Sequence, residues 1–231
     1  MRRLLLRALL YAALAAPACA LAQQVYDDLI LSVVNDRVGE LKTLLARGAD
    51  PNSVDRGGDP LLVIAARNGN LATVDALLLA KAKPDTPNAH GDNALMVAAL
   101  KGQLDIVQRL RAGGASLDRP GWTPLIYAAT GGHEGVVRYL LDQGANINAG
   151  SPNGTTALMM AVREHRLEVA ELLLSRGADV TRRNDAGMTA LTYAEQGNET
   201  ELAQRLRMVA RGERLPPRQV EEEKLRPRIG R

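Results

Sequence analysis

Thr123-Pro124-Leu125-Ile126-Tyr127-Ala128-Ala129, followed by Gly132-His133, Val136-Val137, Leu140-Leu141 and Gly144-Ala145-Asn146-Ile147-Asn148, contains a complete structural unit with its own start and stop. Thr123 ahead of Pro124 starts a helix. The Thr hydroxyl can cap an orphan backbone N–H, and Pro at the first helical position lacks the donor that would go unpaired. Gly144 after Leu140-Leu141 ends a helix, because Gly enters the left-handed conformation without a steric cost. Between start and stop the run breaks near Gly132 into two short helices. The polar stretch from Asn146 to Thr155 then has turn chemistry and too little apolar content for a core helix. The unit is therefore helix, turn, helix, and a projecting hairpin-like finger.

The same pattern recurs on both sides. Leu62, Leu95, Leu125, Leu158 and Leu191 are spaced 33, 30, 33 and 33 residues apart, each with an alanine three residues later. Gly48, Lys81, Gly114, Gly144 and Gly177 are spaced 33, 33, 30 and 33, which sets the same register independently. Both series lose three residues between Gly114 and Leu125, so the deletion lies in one loop. That finger is expected to protrude less than its neighbours and to leave a notch beside Trp122. A period of this length signifies stacked copies of one supersecondary unit.

These residues resemble the ankyrin repeat, with its 33-residue period and Thr-Pro-Leu-His-x-Ala signature. Thr123 to Ala129 is the closest copy. Asn93-Ala94-Leu95, Thr156-Ala157-Leu158 and Thr189-Ala190-Leu191 are degenerate copies, and Asp59-Pro60-Leu61-Leu62 is shifted by one residue. The resemblance covers residues 26 to 208 and implies an all-α ankyrin repeat solenoid of about five to six helix-turn-helix repeats with projecting β-hairpin-like fingers. The signature His is absent throughout, replaced by Val63, Met96, Ile126, Met159 and Thr192. Its side-chain hydrogen bonds should be missing, while the fold stands. Such units cannot bury an apolar face alone and must stack. Ala65-Ala66, Ala98-Ala99 and Ala128-Ala129 would let neighbouring inner helices approach closely, and a chain without Phe suits thin aliphatic layers. Residues 26–55 read as an N-terminal cap, 59–187 as the repeats and 188–211 as a C-terminal cap with a polar outer face.

Residues 1–22 read differently. Arg2, Arg3 and Arg7 precede an apolar run from Ala8 to Ala16, and Ala20-Leu21-Ala22 supplies a small-x-small cleavage site before Gln23, the order found in a secretory signal peptide. The uncharged run from Ala8 to Ala22 is shorter than the roughly 20 residues a membrane span requires. Export with cleavage after Ala22 is expected, to a Gram-negative periplasm or beyond. Cys19, the only cysteine, falls before the cut. Lipidation at Cys19 is not expected, because Ala16-Pro17-Ala18 poorly matches the residues that precede a lipoprotein cysteine. Removing Arg2, Arg3 and Arg7 from 29 basic residues leaves 26 against 26 acidic ones, so the formal charge of +3 belongs to the leader. Without a basic stripe, nucleic-acid binding is not expected. Residues 212–231 read as a disordered charged tail, with weak docking as the alternative.

Catalytic chemistry has no foothold in the pattern. His90, His133 and His165 lie about a repeat apart, with no His-x3-His or Cys pair to hold a metal. No Gly-x-Ser-x-Gly, P-loop or dinucleotide glycine pattern occurs. Neither an enzyme, a cofactor nor a metal is expected.

Recognition is the remaining expectation. In ankyrin proteins the residues flanking each finger turn and ending each inner helix line a concave binding face. By register these are Arg56 and Asp59, His90 and Asp92, Arg119 and Trp122, Asn153 and Thr155, and Asp185 and Met188 on the fingers. On the inner helices they are Arg67, Asn68, Leu100, Lys101, Thr130, Arg163 and Glu164. Trp122 can anchor a partner as a large amphipathic ring, or pack along its finger. The resemblance implies a monomeric module that binds another protein as a periplasmic adaptor or stabiliser. The alternative is an inhibitor or immunity protein that occludes a secreted or periplasmic enzyme.

Overall fold

The computed structural model describes residues 23–215, so the expected signal peptide at 1–22, with Cys19, and residues 216–231 lie outside them. Twelve helices form six pairs among the described residues. The first pair is α1, described over 23–34, with α2 (Val38–Ala46). The others are α3 (Leu61–Asn68) with α4 (Leu71–Leu79), α5 (Ala94–Leu100) with α6 (Leu104–Ala112), and α7 (Pro124–Gly131) with α8 (Glu134–Asp142). They are completed by α9 (Ala157–Arg163) with α10 (Leu167–Ser175), and α11 (Ala190–Gln196) with α12 (Thr200–Ala210). From α3 to α11 the first helices of the pairs pack in one row, and from α2 to α10 the second helices pack in another. The fingers between pairs carry only isolated antiparallel bridges, Val54 with Pro60 and Gly150 with Thr156.

Helices of this length are marginal in isolation, since about 12–15 residues are needed before propagation outweighs nucleation. Caps and packing hold them instead. The backbone N–H of Met96, Ile126, Met159 and Thr192 each donates to the side chain of Asn93, Thr123, Thr156 and Thr189 respectively. Where the family signature has His, Val63, Met96, Ile126 and Met159 are at most 4% exposed and fill the core. Thr192 alone retains a polar role, its hydroxyl accepting from the Thr189 N–H at 2.7 Å in a capping box. The paired alanines Ala65-Ala66, Ala98-Ala99 and Ala128-Ala129 are fully buried, as close approach of the inner row requires.

Helix stops are equally regular. At each second-helix end, two N–H groups turn back onto the last carbonyls: Gly144 donates to Leu141 and Ala145 to Leu140. Lys81 and Ala82 repeat this pair on Leu78 and Leu77. This closure needs a left-handed residue, and Lys81 adopts it at φ +68° where its counterparts are glycines. The same closure recurs at Gly212, with Glu213 donating to Met208. Leu215 then packs against the core. Residues 212–215, read from sequence as tail, are therefore an ordered closure of the last repeat, because the stop motif extends past the final helical residue.

One C-terminal residue read as polar surface faces inward. Arg205 on α12 lies 2.6 Å from Glu171 on α10, with side chains only 11% and 17% exposed, and so ties the last repeat to its neighbour.

The edge opposite the fingers is close-packed. His133 reaches back to donate to the Leu100 carbonyl at 2.8 Å. A methyl group at Gly131 would sit 2.4 Å from the His133 ring and 2.7 Å from that carbonyl oxygen. Gly131→Ala is therefore expected to cost about 1–3 kcal/mol through overpacking. Gly135→Ala, where the nearest atom would be 3.9 Å away, should stabilise helix α8 by up to about 1 kcal/mol. Opposite shifts in urea midpoint test this contrast. Lys81→Gly should likewise raise the melting midpoint by a few degrees, since it relieves a left-handed cost of about 1 kcal/mol. An unchanged midpoint would show that the Lys81 conformation carries no such cost.

Candidate recognition face

Four of the fingers close their tips with a side chain of their own. Asp55 Oδ1 accepts from the N–H groups of Gly57 and Asp59, and Asn88 Oδ1 from those of His90 and Asp92. Asn184 Oδ1 does the same for Ala186 and Met188, while the Ser151 hydroxyl accepts from the Thr155 N–H. The short finger has a different conformation. Asp118 lies 33 residues after Asp85, but Gly121 lies only 30 after Gly91, so the missing residues fall between Asp118 and Gly121. This deletes the tip that the others close. Gly121 turns the chain at φ +107°, and the Arg119 guanidinium donates to the Asp85 carbonyl of the preceding finger.

The residues selected by register have different environments. Arg56 is exposed and lies 3.3 Å from Asp27 of α1, while Arg67 pairs with Asp59 at 2.7 Å. Asn68 Nδ2 is 3.5 Å from the Val34 carbonyl. His90, Lys101, Asn153 and Asp185 are exposed, as is Leu100 at 37%. Thr130 donates its hydroxyl to the Ile126 carbonyl, Arg163 pairs with Glu164 at 2.9 Å, and Met188 is half-buried.

Two positions depart from the expectation of a freely presented contact. Thr155 is only 3% exposed, and its hydroxyl accepts from Asn184 Nδ2 of the next finger at 3.3 Å. It belongs to the packing between fingers rather than to the outer face. Arg119 is half-buried and serves as the tie to Asp85 described above. Both were selected by register alone, which locates a position along a finger but not the neighbouring finger that covers it.

Trp122 packs on its own repeat and stays partly exposed. Its ring centre lies 5.7 Å from that of Tyr127, with the planes inclined at 49°, yet the residue is 37% exposed. Tyr127 was missed by the register argument. It occupies the inner-helix position held by Ile64, Val97 and Met160 in neighbouring units, and its hydroxyl donates to Asp92 across the stack. Burial, reinforced by that carboxylate, holds the phenol above its usual range and keeps it a donor. The available sequence signal was a tyrosine in a column that is aliphatic or Met in the three adjoining copies and Tyr again only at Tyr193 in the last.

The hydrogen bond from Arg67 holds the Asp59 carboxyl below its ordinary range despite partial burial. Asp55 and Asp92 also act on Arg67. Elsewhere His165 Nδ1 lies 2.7 Å from Glu199, so it and His133 are occupied at the turn edge. Among the described residues, no group of three His, Cys, Asp or Glu is arranged to hold a metal, and no helix is long and apolar enough to cross a membrane.

Stacked helix pairs with fingers that display unlike side chains on a common scaffold define a repeat protein whose activity resides in its surface. The family profile described as ankyrin repeats (3 copies) matches residues 29–120 and 111–184. The chain belongs to the ankyrin repeat family, whose repeats are generic protein–protein interaction modules. No curated protein matches it.

The Asp59–Arg67 pair gives a pH prediction. Because the folded carboxyl titrates below its unfolded value, its contribution is present above the unfolded Asp range and is lost as pH falls through the lower folded value. Partial exposure limits it to about 1 kcal/mol or less. Asp59→Asn should therefore lower stability at pH 7 and approach the parent's stability as pH falls below the unfolded Asp value of about 4. Parallel denaturation curves at all pH values would refute the assignment.

Proposed function

We propose that the chain is an exported, non-enzymatic binding protein that acts in the periplasm as an adaptor or stabiliser of another protein. The leader chemistry of residues 1–22 supports export, and the repeat family supports binding. One observation supports a contact at the short finger: an exposed indole ring braced on Tyr127, with the Tyr127 hydroxyl fixed by Asp92. Large rings seated on a rigid scaffold dominate interface energetics, whereas isolated exposed charges contribute little.

Trp122→Ala should weaken capture of the partner by about tenfold or more, equivalent to about 1.4 kcal/mol or more. Arg56→Ala and Asp185→Ala, near the two ends of the stack, should matter less. Circular dichroism separates lost contact from lost finger packing. Wild-type capture by a Trp122→Ala variant of unchanged helicity and melting point would rule out this face. A partner whose half-life lengthens marks an adaptor, and one whose activity falls marks an inhibitor. Export is tested by whether the mature protein begins at Gln23.

A further inference from the structure

The two ends of the stack are finished differently. The last repeat turns Glu195, Gln196, Glu201, Gln204 and Arg207 to solvent, as a terminal repeat requires. The first does not. Helix α1 already buries one stripe, Leu29, Ser32 and Val33. A second stripe at helical spacing, Tyr26, Ile30, Leu31 and Val34, lies outside that one, with Leu31 49% and Val34 45% exposed. A helix that is apolar on more than one face is ordinarily covered on each.

Register identifies what would cover it. Val63, Met96, Ile126 and Met159 follow Ile30 one repeat at a time, and all are buried. Ile64, one repeat after Leu31, is buried as well. From α5 onward each first helix packs on its predecessor, whereas no helix precedes α1 among the described residues. The open stripe continues into a groove of about 450 Å³ between Tyr26, Ile30 and Leu31 of α1 and Arg56 and Gly57 of the first finger. The Tyr26 hydroxyl donates to the Val54 carbonyl at 2.8 Å and fixes one wall, beside the exposed Val54 side chain. The open end therefore has the form of one further helix position in the inner row.

Charge selects the occupant. Residues 23–59 carry seven acidic and four basic side chains, although the chain after the leader is balanced at 26 of each. Asp27 and Asp55 line the groove, and the cation beside them is Arg56, 3.3 Å from Asp27 with its side chain 81% exposed. A second copy would bring the same acidic excess against itself, whereas a basic segment is attracted.

We propose that the N-terminal end of the stack docks an amphipathic helix of a partner protein. Its aliphatic side chains, at i, i+3 and i+4 spacing, cover Ile30, Leu31 and Val34, and its Lys or Arg side chains face Asp27 and Asp55. The docked helix extends the inner row by one position. This site rests on the reading that the chain binds other proteins, but it does not use the short finger.

The probe is a labelled Leu/Lys amphipathic peptide of about 15 residues, long enough to form a helix. Fluorescence polarisation with the full chain at about 20 mM NaCl should show saturable binding. The same pattern with Glu in place of Lys should bind at least about tenfold more weakly. Leu31→Ser combined with Val34→Ser should weaken the Leu/Lys peptide about tenfold or more, because the contact loses its two most exposed aliphatic side chains. Asp27→Lys, which leaves the apolar stripe intact, should weaken it about threefold at about 20 mM NaCl and by less at about 500 mM. Trp122→Ala should leave it unchanged. Equal affinity for the two peptides would overturn the choice of a basic occupant. Undiminished binding by the Leu31/Val34 double variant, with helicity retained, would overturn the site, as would weakening by Trp122→Ala alone. A Leu31-dependent dimer in sedimentation between about 1 and 50 µM would make a second copy the occupant and overturn the partner helix. Failure of these arms leaves the capture experiment at Trp122 standing, and failure of that experiment leaves this site standing.

Discussion

A side-chain acceptor in one repeat caps a backbone N–H in the next, and this relay sets the register of the stack. Asn52 accepts from Lys83 at 2.8 Å, Asp85 from Ser116 at 3.0 Å, Asp118 from Asn146 at 3.0 Å and Asn148 from Asp179 at 2.8 Å. Each bond satisfies a donor just after a helix stop, where the chain has left its own hydrogen-bonding ladder. On the opposite edge, Asn70, His133 and Arg166 donate to the carbonyls of Val33, Leu100 and Thr130 in the preceding repeats. Short helices that could not persist alone are thus held in register at both edges, with the aliphatic layers between them.

The relay explains how the three-residue deletion is accommodated. It falls after Asp118 and before Gly121, between the two residues that hydrogen-bond between repeats but removing neither, so the Asp118 bond to Asn146 forms across a shorter loop. Only the finger tip is lost. Its removal leaves Arg119 tied to the previous finger and Trp122 seated on Tyr127. A change confined to one loop therefore alters the recognition surface while leaving the core period intact. This separation of scaffold from surface is characteristic of repeat architectures.

The candidate face follows the same division. Positions near the two ends of the stack largely use their charges internally, Arg56 with Asp27, Arg67 with Asp59 and Arg163 with Glu164. At the short finger, an aromatic pair remains partly exposed, with the Tyr127 hydroxyl donating to the half-buried Asp92. Loss of the signature His has little structural consequence because four of its five substitutes are apolar and buried. The fifth, Thr192, rebuilds the local cap by itself.

Helix starts, helix stops, the number of stacked units and the loop containing the deletion were legible in the sequence, because each depends on local chemistry repeated at a fixed period. Thr before Pro and Gly after a Leu pair act within a few residues of themselves. At Lys81 the register placed a lysine where the other copies have glycine, and the structure shows it in the left-handed conformation. Only the tertiary structure showed which surface positions were already engaged. Thr155 is roofed by Asn184, Arg119 is held by Asp85, Arg205 is turned inward onto Glu171, and Asp92 joins Tyr127. Each of these pairs links residues about one repeat apart. Periodicity brings such residues close together, but whether their side chains meet depends on the packing of neighbouring fingers and helices.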